Sequence, residues 1–455
     1  MKSKNKWESK IFNSLSTDWI IHIKRYSFAY LLIFLYFPGG LVTDFAIIVT
    51  SLWAFSYFLI KRELDLFLIF LFLVPSIVFN SSSGNVNDIN EHNLFSNYRD
   101  VIFLGPVALS TPLALVLALP FRLLSQFTKT NNSLVISLWL FVVFLSVIGL
   151  LLAYNIGTSN DSGLTVGLRY VLSIGTVLLP LSIKDKDSFY HSIDKIFLIS
   201  FFFLVFGLIS GHWIFVIFGF IPYVFHRNHF IIRILICYFS LLFFINFSST
   251  ITILGIFVSS VIFYLTSVFG NIKNNVLRRP IVQCILILSP IIFTTIILLL
   301  NVEKIEYDKS SSFGYTFFKI FSDRKPIWNS SFDQIVNSPI FIVPAGSSLN
   351  VYFDYLDTSV VWQPGSHNIF LEIGRQNGVF AMVVLVFILV YVLIKTGKSL
   401  SNKDDLILYY SFISVYIIFS TTGNSLIISG VGFFYWLLLG QFNRIVYSEA
   451  KISTK

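Results

Sequence analysis

Long apolar segments separated by short polar breaks run along most of the chain. They lie at about 27–60, 66–79, 101–121, 133–154, 164–183, 193–269, 281–300, 369–394 and 406–441, and some are long enough for two or more crossings of a membrane. A spanning helix needs about 20 mostly apolar residues, because each backbone N–H and C=O must be hydrogen-bonded within the segment once water is gone. Pro38-Gly39-Gly40 splits the first run into two helices. Between 193 and 269 the groups Gly211-His212-Trp213, His226-Arg227-Asn228-His229 and Asn246-Phe247-Ser248-Ser249-Thr250 each resemble a turn, which gives four helices, with two long ones as the alternative. The pattern predicts an all-α integral membrane protein, a polytopic bundle of about 12 to 14 transmembrane helices.

Composition agrees. The chain is 55% hydrophobic and 12% charged, against roughly 25% charged in soluble domains. Its mean hydropathy is +0.79. Lysine and arginine are retained in cytoplasmic loops. Lys2, Lys4, Lys6, Lys10, Lys24 and Arg25 therefore place the N-terminus inside. The alternate loops then carry Lys61/Arg62, Arg122/Lys129, Lys184/Lys186/Lys195, Arg227/Arg233, Lys273/Arg278/Arg279, Lys395/Lys398/Lys403 and the Arg444/Lys451/Lys455 tail. This parity predicts about 14 spans with both ends cytoplasmic, and it places 80–100, 155–163 and 301–366 outside. The net charge of +9 thus reflects orientation and does not imply nucleic acid as a partner. Three regions follow: a transmembrane bundle over 1–300, a large periplasmic loop with short helices over 301–366, and C-terminal transmembrane helices with a cytoplasmic tail over 367–455.

Several function classes drop out. Cys237 and Cys284 sit in apolar runs and read as small packed hydrophobes, with no disulfide framework. The first apolar run follows a basic segment and carries no small-residue cleavage site, so it reads as an anchor. There is no P-loop, no Gly-rich nucleotide fingerprint, no Cys/His metal spacing and no internal repeat, so ATP-driven transport is not expected of this chain and no cofactor is implied.

Polar chemistry is concentrated in the outer loop. Around Asn329 to Asn337 the apolar residues Ile327, Trp328, Phe332 and Ile335 have helical spacing, for a helix lying along the membrane surface or over the bundle, ended by Pro339 and Pro344. An aromatic, acidic stretch with Tyr352, Asp354, Tyr355 and Asp357 leads to Pro364-Gly365-Ser366. Ser366 is a good helix cap, which makes His367 the first helical residue, at the outer boundary. The positive end of the helix dipole disfavours imidazolium there, leaving a neutral histidine able to act as a general base. The alternative is an interfacial histidine that hydrogen-bonds the loop. Arg324 reads either as a loop charge, solvated or paired with Asp323, or as a planar fork gripping an anion. Glu372 and Arg375, three residues apart, read as an internal pair or as substrate contacts.

Arg324-x-x-Ile327-Trp328, followed about forty residues on by His367-Asn368-x-x-Leu371 and a Gly378-containing apolar helix, resembles the core of the O-antigen polymerase and O-antigen ligase superfamily. The specific similarity covers roughly 230–400, and the many-span layout with a late outer loop matches the whole chain. That resemblance implies an inner-membrane glycosyltransferase acting on undecaprenyl-diphosphate-linked glycans at the periplasmic face, metal-independent and inverting. By it, Arg324 binds the donor diphosphate and His367 activates the acceptor hydroxyl. The chain departs from the family in lacking a Ser-Arg pair in a central span, where Asn246 to Thr250 stands without arginine, and in a Gly-rich spacing reduced to Pro344-Ala345-Gly346. Arg169, near the outer end of its span, is the candidate for a second diphosphate arginine, with a snorkelling anchor as the alternative. Tyr315 and Asn368 are further candidate substrate contacts, and Arg99 and His92 weaker outer-face ones.

The expected activity is polymerisation: a growing glycan passes from undecaprenyl diphosphate to the non-reducing hydroxyl of a lipid-linked repeat unit. A base, a cationic clamp and two approaches from the membrane suffice. The alternatives are a ligase with lipid A core as acceptor and, from another class, a lipid-linked oligosaccharide flippase, which should instead place charges around a midplane cavity. The expected partners are the lipid-linked donor and acceptor, membrane lipids and a chain-length-regulating co-polymerase.

Overall fold

The computed structural model describes residues 101–104, 107–110, scattered positions between 140 and 238, and then 280–300, 314, 318–338, 349–354, 356–362, 366–400, 403–422 and 431–453. The predicted spans at 27–60 and 66–79, the predicted span at 164–183 apart from Pro180, the Pro38-Gly39-Gly40 break, His92, Arg99, Arg169, Cys237, Tyr315 and the Asn246 to Thr250 stretch lie outside the described residues. The described elements are mostly helical.

Two helices are long and apolar enough to cross a membrane, α1 (Pro280–Leu299) and α4 (Val379–Ser399). At about 1.5 Å per residue each is close to 30 Å long, the thickness of a bilayer's hydrocarbon core. They pack side by side and antiparallel. Near the start of α1, Gln283 fills the space over Gly397 at the end of α4, where an added Cβ would lie 1.8 Å from the Gln283 Nε2. At the other end Ile297 of α1 shares a cluster with Leu371 and Val379.

Pro290 inside α1 has no N–H to offer the Leu286 carbonyl four residues back. The Ser289 hydroxyl donates to that carbonyl instead, at 2.9 Å. Tyr416 of α5 (Lys403–Thr422) donates to the neighbouring Ile287 carbonyl at 2.8 Å. A proline is thus accommodated without an orphaned backbone oxygen, as an apolar setting demands. Tyr409 of α5 donates to the Leu393 carbonyl at 2.8 Å, and Thr396 of α4 reaches the Phe442 carbonyl of α6 (Val431–Ser453) at 3.3 Å. Ring contacts fill the rest of this packing, with Phe412 stacked on Tyr435 at 4.8 Å.

The two ends of this bundle differ in what they gather. At the end where α4 stops and α5 begins, Asp404 meets His226 at 3.0 Å, Asp405 accepts a hydrogen bond from Tyr190, and Arg444 reaches the Pro180 carbonyl at 3.3 Å. The opposite end carries α2 (Lys325–Val336), the antiparallel hairpin of β3 (Leu349–Phe353) and β4 (Thr358–Trp362), and the nine-residue α3 (Ile369–Asn377).

Four details correct the sequence-based expectations. The chain is not all-α: besides β3–β4, Val101–Leu104 (β1) and Val107–Ser110 (β2) pair antiparallel, so the apolar run at 101–121 does not open as a helix. The run at 369–394 is two helices, because Gly378 stands between them at φ 89°, ψ 164°, a region open essentially to glycine alone. The buried face of α2 is Ile327, Trp328, Ser331 and Ile335, while Phe332 is about half exposed, since Ser331 is the residue that falls on the inward stripe. Helix α3 starts at Ile369 with Asn368 as its cap, two residues beyond the expected start at His367 with Ser366 as its cap.

Candidate functional site

Arg324 ends a six-residue π-helical segment, Lys319–Arg324, that runs directly into α2. Pro326 supplies the cause: a proline in the first turn of α2 cannot donate to the carbonyl four residues back and crowds it, and the chain widens. The Lys325 N–H accordingly reaches back five residues to the Ile320 carbonyl. Lys319 occupies the carboxylate of buried Asp323 at 2.9 Å, and Lys325 donates to the Leu300 carbonyl at the end of α1. Arg324 itself is half-buried at this junction.

The two apolar residues that follow the arginine hold it from opposite sides. Ile327 packs with Leu349, Val351 and Phe353 on the inner face of the hairpin, whose strand alternates buried and exposed positions. Trp328 packs with Ile297, Ile335 and Leu371, and its ring meets Phe293 edge-on at 6.3 Å. The Arg-x-x-Ile-Trp spacing therefore staples the arginine turn between the hairpin and the α1–α3 pair.

His367 lies on the turn entering α3, half-buried, with φ 54°. Few residues other than glycine adopt this left-handed conformation, and they persist there when the surroundings fix them. Both neighbours are fixed. Asn368 Oδ1 accepts from the Phe370 and Leu371 N–H groups at 3.0 and 3.2 Å, capping α3, and its Nδ2 donates to Thr294 of α1 at 2.7 Å. Ser366, fully buried, donates from its N–H and its hydroxyl to Glu372 Oε2 at 2.6 and 2.8 Å. Ser331 of α2 lies 2.9 Å from the Ser366 hydroxyl and 2.7 Å from the Ile327 carbonyl, with one proton to serve either.

Glu372 is the hub. Arg375 Nη2 donates to its Oε1 at 2.9 Å and Gln376 at 3.2 Å. The carboxylate is 4% exposed and Arg375 1%. Burial alone would raise the pKa of Glu372. The Arg375 charge and the two Ser366 bonds outweigh it and hold the group below its ordinary value of 4.5.

The predicted site residues are thus placed as follows. Arg324 and His367 sit on elements joined by the Ser331–Ser366 contact and the Trp328–Leu371 packing. Asn368, Glu372 and Arg375 have partners inside the protein and form the frame of the His367 turn. His367 stands outside α3, so the helix-dipole argument for a neutral imidazole loses its premise. Ser331, Ser366 and Thr294 are the contributors not singled out for this role. Their signal was weak, since a buried serine or threonine is legible only from its partners.

The chain matches no protein-family model, no curated protein and no solved structure.

Proposed function

We propose that this chain is a polytopic membrane glycosyltransferase of the O-antigen polymerase type, with its site on the outer face. The observation that carries this is the coupling of the arginine turn to the histidine turn. Ser331 lies seven residues after Arg324, about 10 Å along a helix, and it touches the residue before His367 at 2.9 Å. A cation and an acceptor of protons on one rigid platform, at the end of two spanning-length helices, suit a lipid-diphosphate donor arriving from the bilayer. The membrane setting is supported by exposure: only 28% and 39% of the most apolar stretches of α1 and α4 are buried, whereas the core helix of a soluble protein hides most of its apolar surface. The orientation is supported by the end where Asp404, Asp405 and Arg444 meet His226, Tyr190 and Pro180, because those residues come from segments that the lysine and arginine parity places on the cytoplasmic side.

In this mechanism the acceptor hydroxyl gives its proton to the His367 imidazole as its oxygen attacks the anomeric carbon. The bond from that carbon to the diphosphate oxygen breaks, inverting the centre. Undecaprenyl diphosphate leaves with the electron pair, its charge met by Arg324. His367→Ala should insert and fold yet extend lipid-linked repeats about a hundred- to ten-thousand-fold more slowly. The measurement is chain extension by purified protein, beside lipopolysaccharide from a deletion strain run on a gel. A single repeat on core fits a polymerase, and bare core indicates a ligase or flippase instead. Near wild-type extension by His367→Ala removes the histidine from the mechanism.

A further inference from the structure

We infer that the buried Glu372–Arg375 pair is the positioning element of His367, acting through Ser366, given the role of His367 proposed above. Both Glu372 oxygens are occupied from within the protein: Oε2 by the N–H and hydroxyl of Ser366 at 2.6 and 2.8 Å, Oε1 by Arg375 at 2.9 Å and Gln376 at 3.2 Å. Charge-assisted bonds of this kind, out of contact with water, are among the strongest polar contacts a chain can make.

Their target is informative. Two of the bonds that Glu372 accepts come from the residue immediately before His367, and the residue immediately after it is fixed by its cap and by Thr294. His367 is left with its backbone defined from both sides at φ 54°. Stability alone is a poor account of such a pair, because apolar residues of similar volume commonly serve a protein core as well or better. Its net charge is zero, so it delivers little field to the imidazole. What the pair supplies is direction: neither the peptide linking residues 365 and 366 nor the Ser366 side chain can rotate without breaking a bond to a buried carboxylate, which anchors the residue from which the chain enters His367. A misplacement of about 1 Å at a reacting group can cost a hundredfold in rate.

Ser366→Ala keeps the ion pair and the Ser366 N–H bond intact and removes the hydroxyl with its bond to Glu372 and its contact with Ser331, so it tests the serine's part in positioning without stranding a buried charge. Purified full-length protein in detergent is assayed with lipid-linked repeat units extracted from cells lacking the chain. In parallel, the rate of His367 modification by diethyl pyrocarbonate is followed by mass spectrometry. The expected result is a kcat lower by about ten- to a hundredfold, an unchanged KM, a lowered unfolding temperature with the protein still folded at the assay temperature, and a several-fold change in the modification rate. Ser366→Thr, which keeps a hydroxyl, should restore both kcat and the modification rate. Wild-type turnover and modification in Ser366→Ala would overturn the inference, as would a loss of activity that only follows loss of folded protein and that threonine does not restore. If the wild type extends no glycan while the modification rate still changes, the positioning role stands and the polymerase reading falls.

Discussion

Helices α3 and α4 are neighbours in sequence and opposites in setting. The nine residues of α3 include Glu372, Arg375, Gln376 and Asn377, and all nine are buried. The 21 residues of α4 are almost wholly apolar, yet Phe380, Val383 and Phe387 are about half exposed or more. In water this is the wrong way round, since apolar side chains seek the interior and charges the surface. It is the right way round where the surroundings are hydrocarbon: a charge must then hide and pair, while phenylalanine and valine lose nothing by facing outward. One glycine separates the two regimes.

The largest effect expected from breaking this contrast comes from Arg375→Met. It strands the Glu372 carboxylate in a site with no water and should cost about 3–5 kcal/mol of stability, read as unfolding of the detergent-solubilised protein. The double change Glu372→Met with Arg375→Met should recover most of that loss. If α3 faced water, both variants would match the wild type. Acid acts on the same carboxylate. Its folded-state pKa lies below 4.5, so its stabilisation is full above that value and is lost as pH falls below it. Unfolding temperatures should therefore hold between neutral pH and about 5 and drop below 4.5, and a drop already at pH 6 would contradict the pairing.

Gly378→Ala should cost roughly 1–3 kcal/mol, because no side chain is comfortable at φ 89°, ψ 164°. An unchanged unfolding temperature would mean that α3 and α4 join as one helix. The smallest effect belongs to α4's outer face. Phe387→Leu should stay within about 0.5 kcal/mol of the wild type, and a larger loss would indicate a protein partner against that face.

How much of this could be read from sequence depended on whether the signal was local. Ile327, Trp328 and Ile335 announce α2 by spacing, and Pro326 explains its widened start. The Asn-Gly step at 377–378 marks a break that a long apolar run conceals. The start of α3 could be read either way, since Ser366 and Asn368 are both good caps. The residue directly before the first apolar position, Asn368, takes the role because Glu372 claims the serine. The β3–β4 hairpin is visible in hindsight as Leu349, Val351 and Phe353 alternating with Asn350 and Tyr352, but the acidic residues at its tip favour reading a loop. The Ser366–Glu372 bonds follow no helix or strand period, and only the folded chain brings them together.

The hydrogen bond between Asn368 and Thr294 joins residues 74 positions apart. A chain made from its N-terminus at about 5–20 residues per second presents the threonine roughly 4 to 15 seconds before the asparagine exists. The arginine turn, made in between, waits as well. The histidine turn is therefore assembled late in biogenesis, and a nascent chain stalled before residue 372 holds Arg324 without the frame that orients His367.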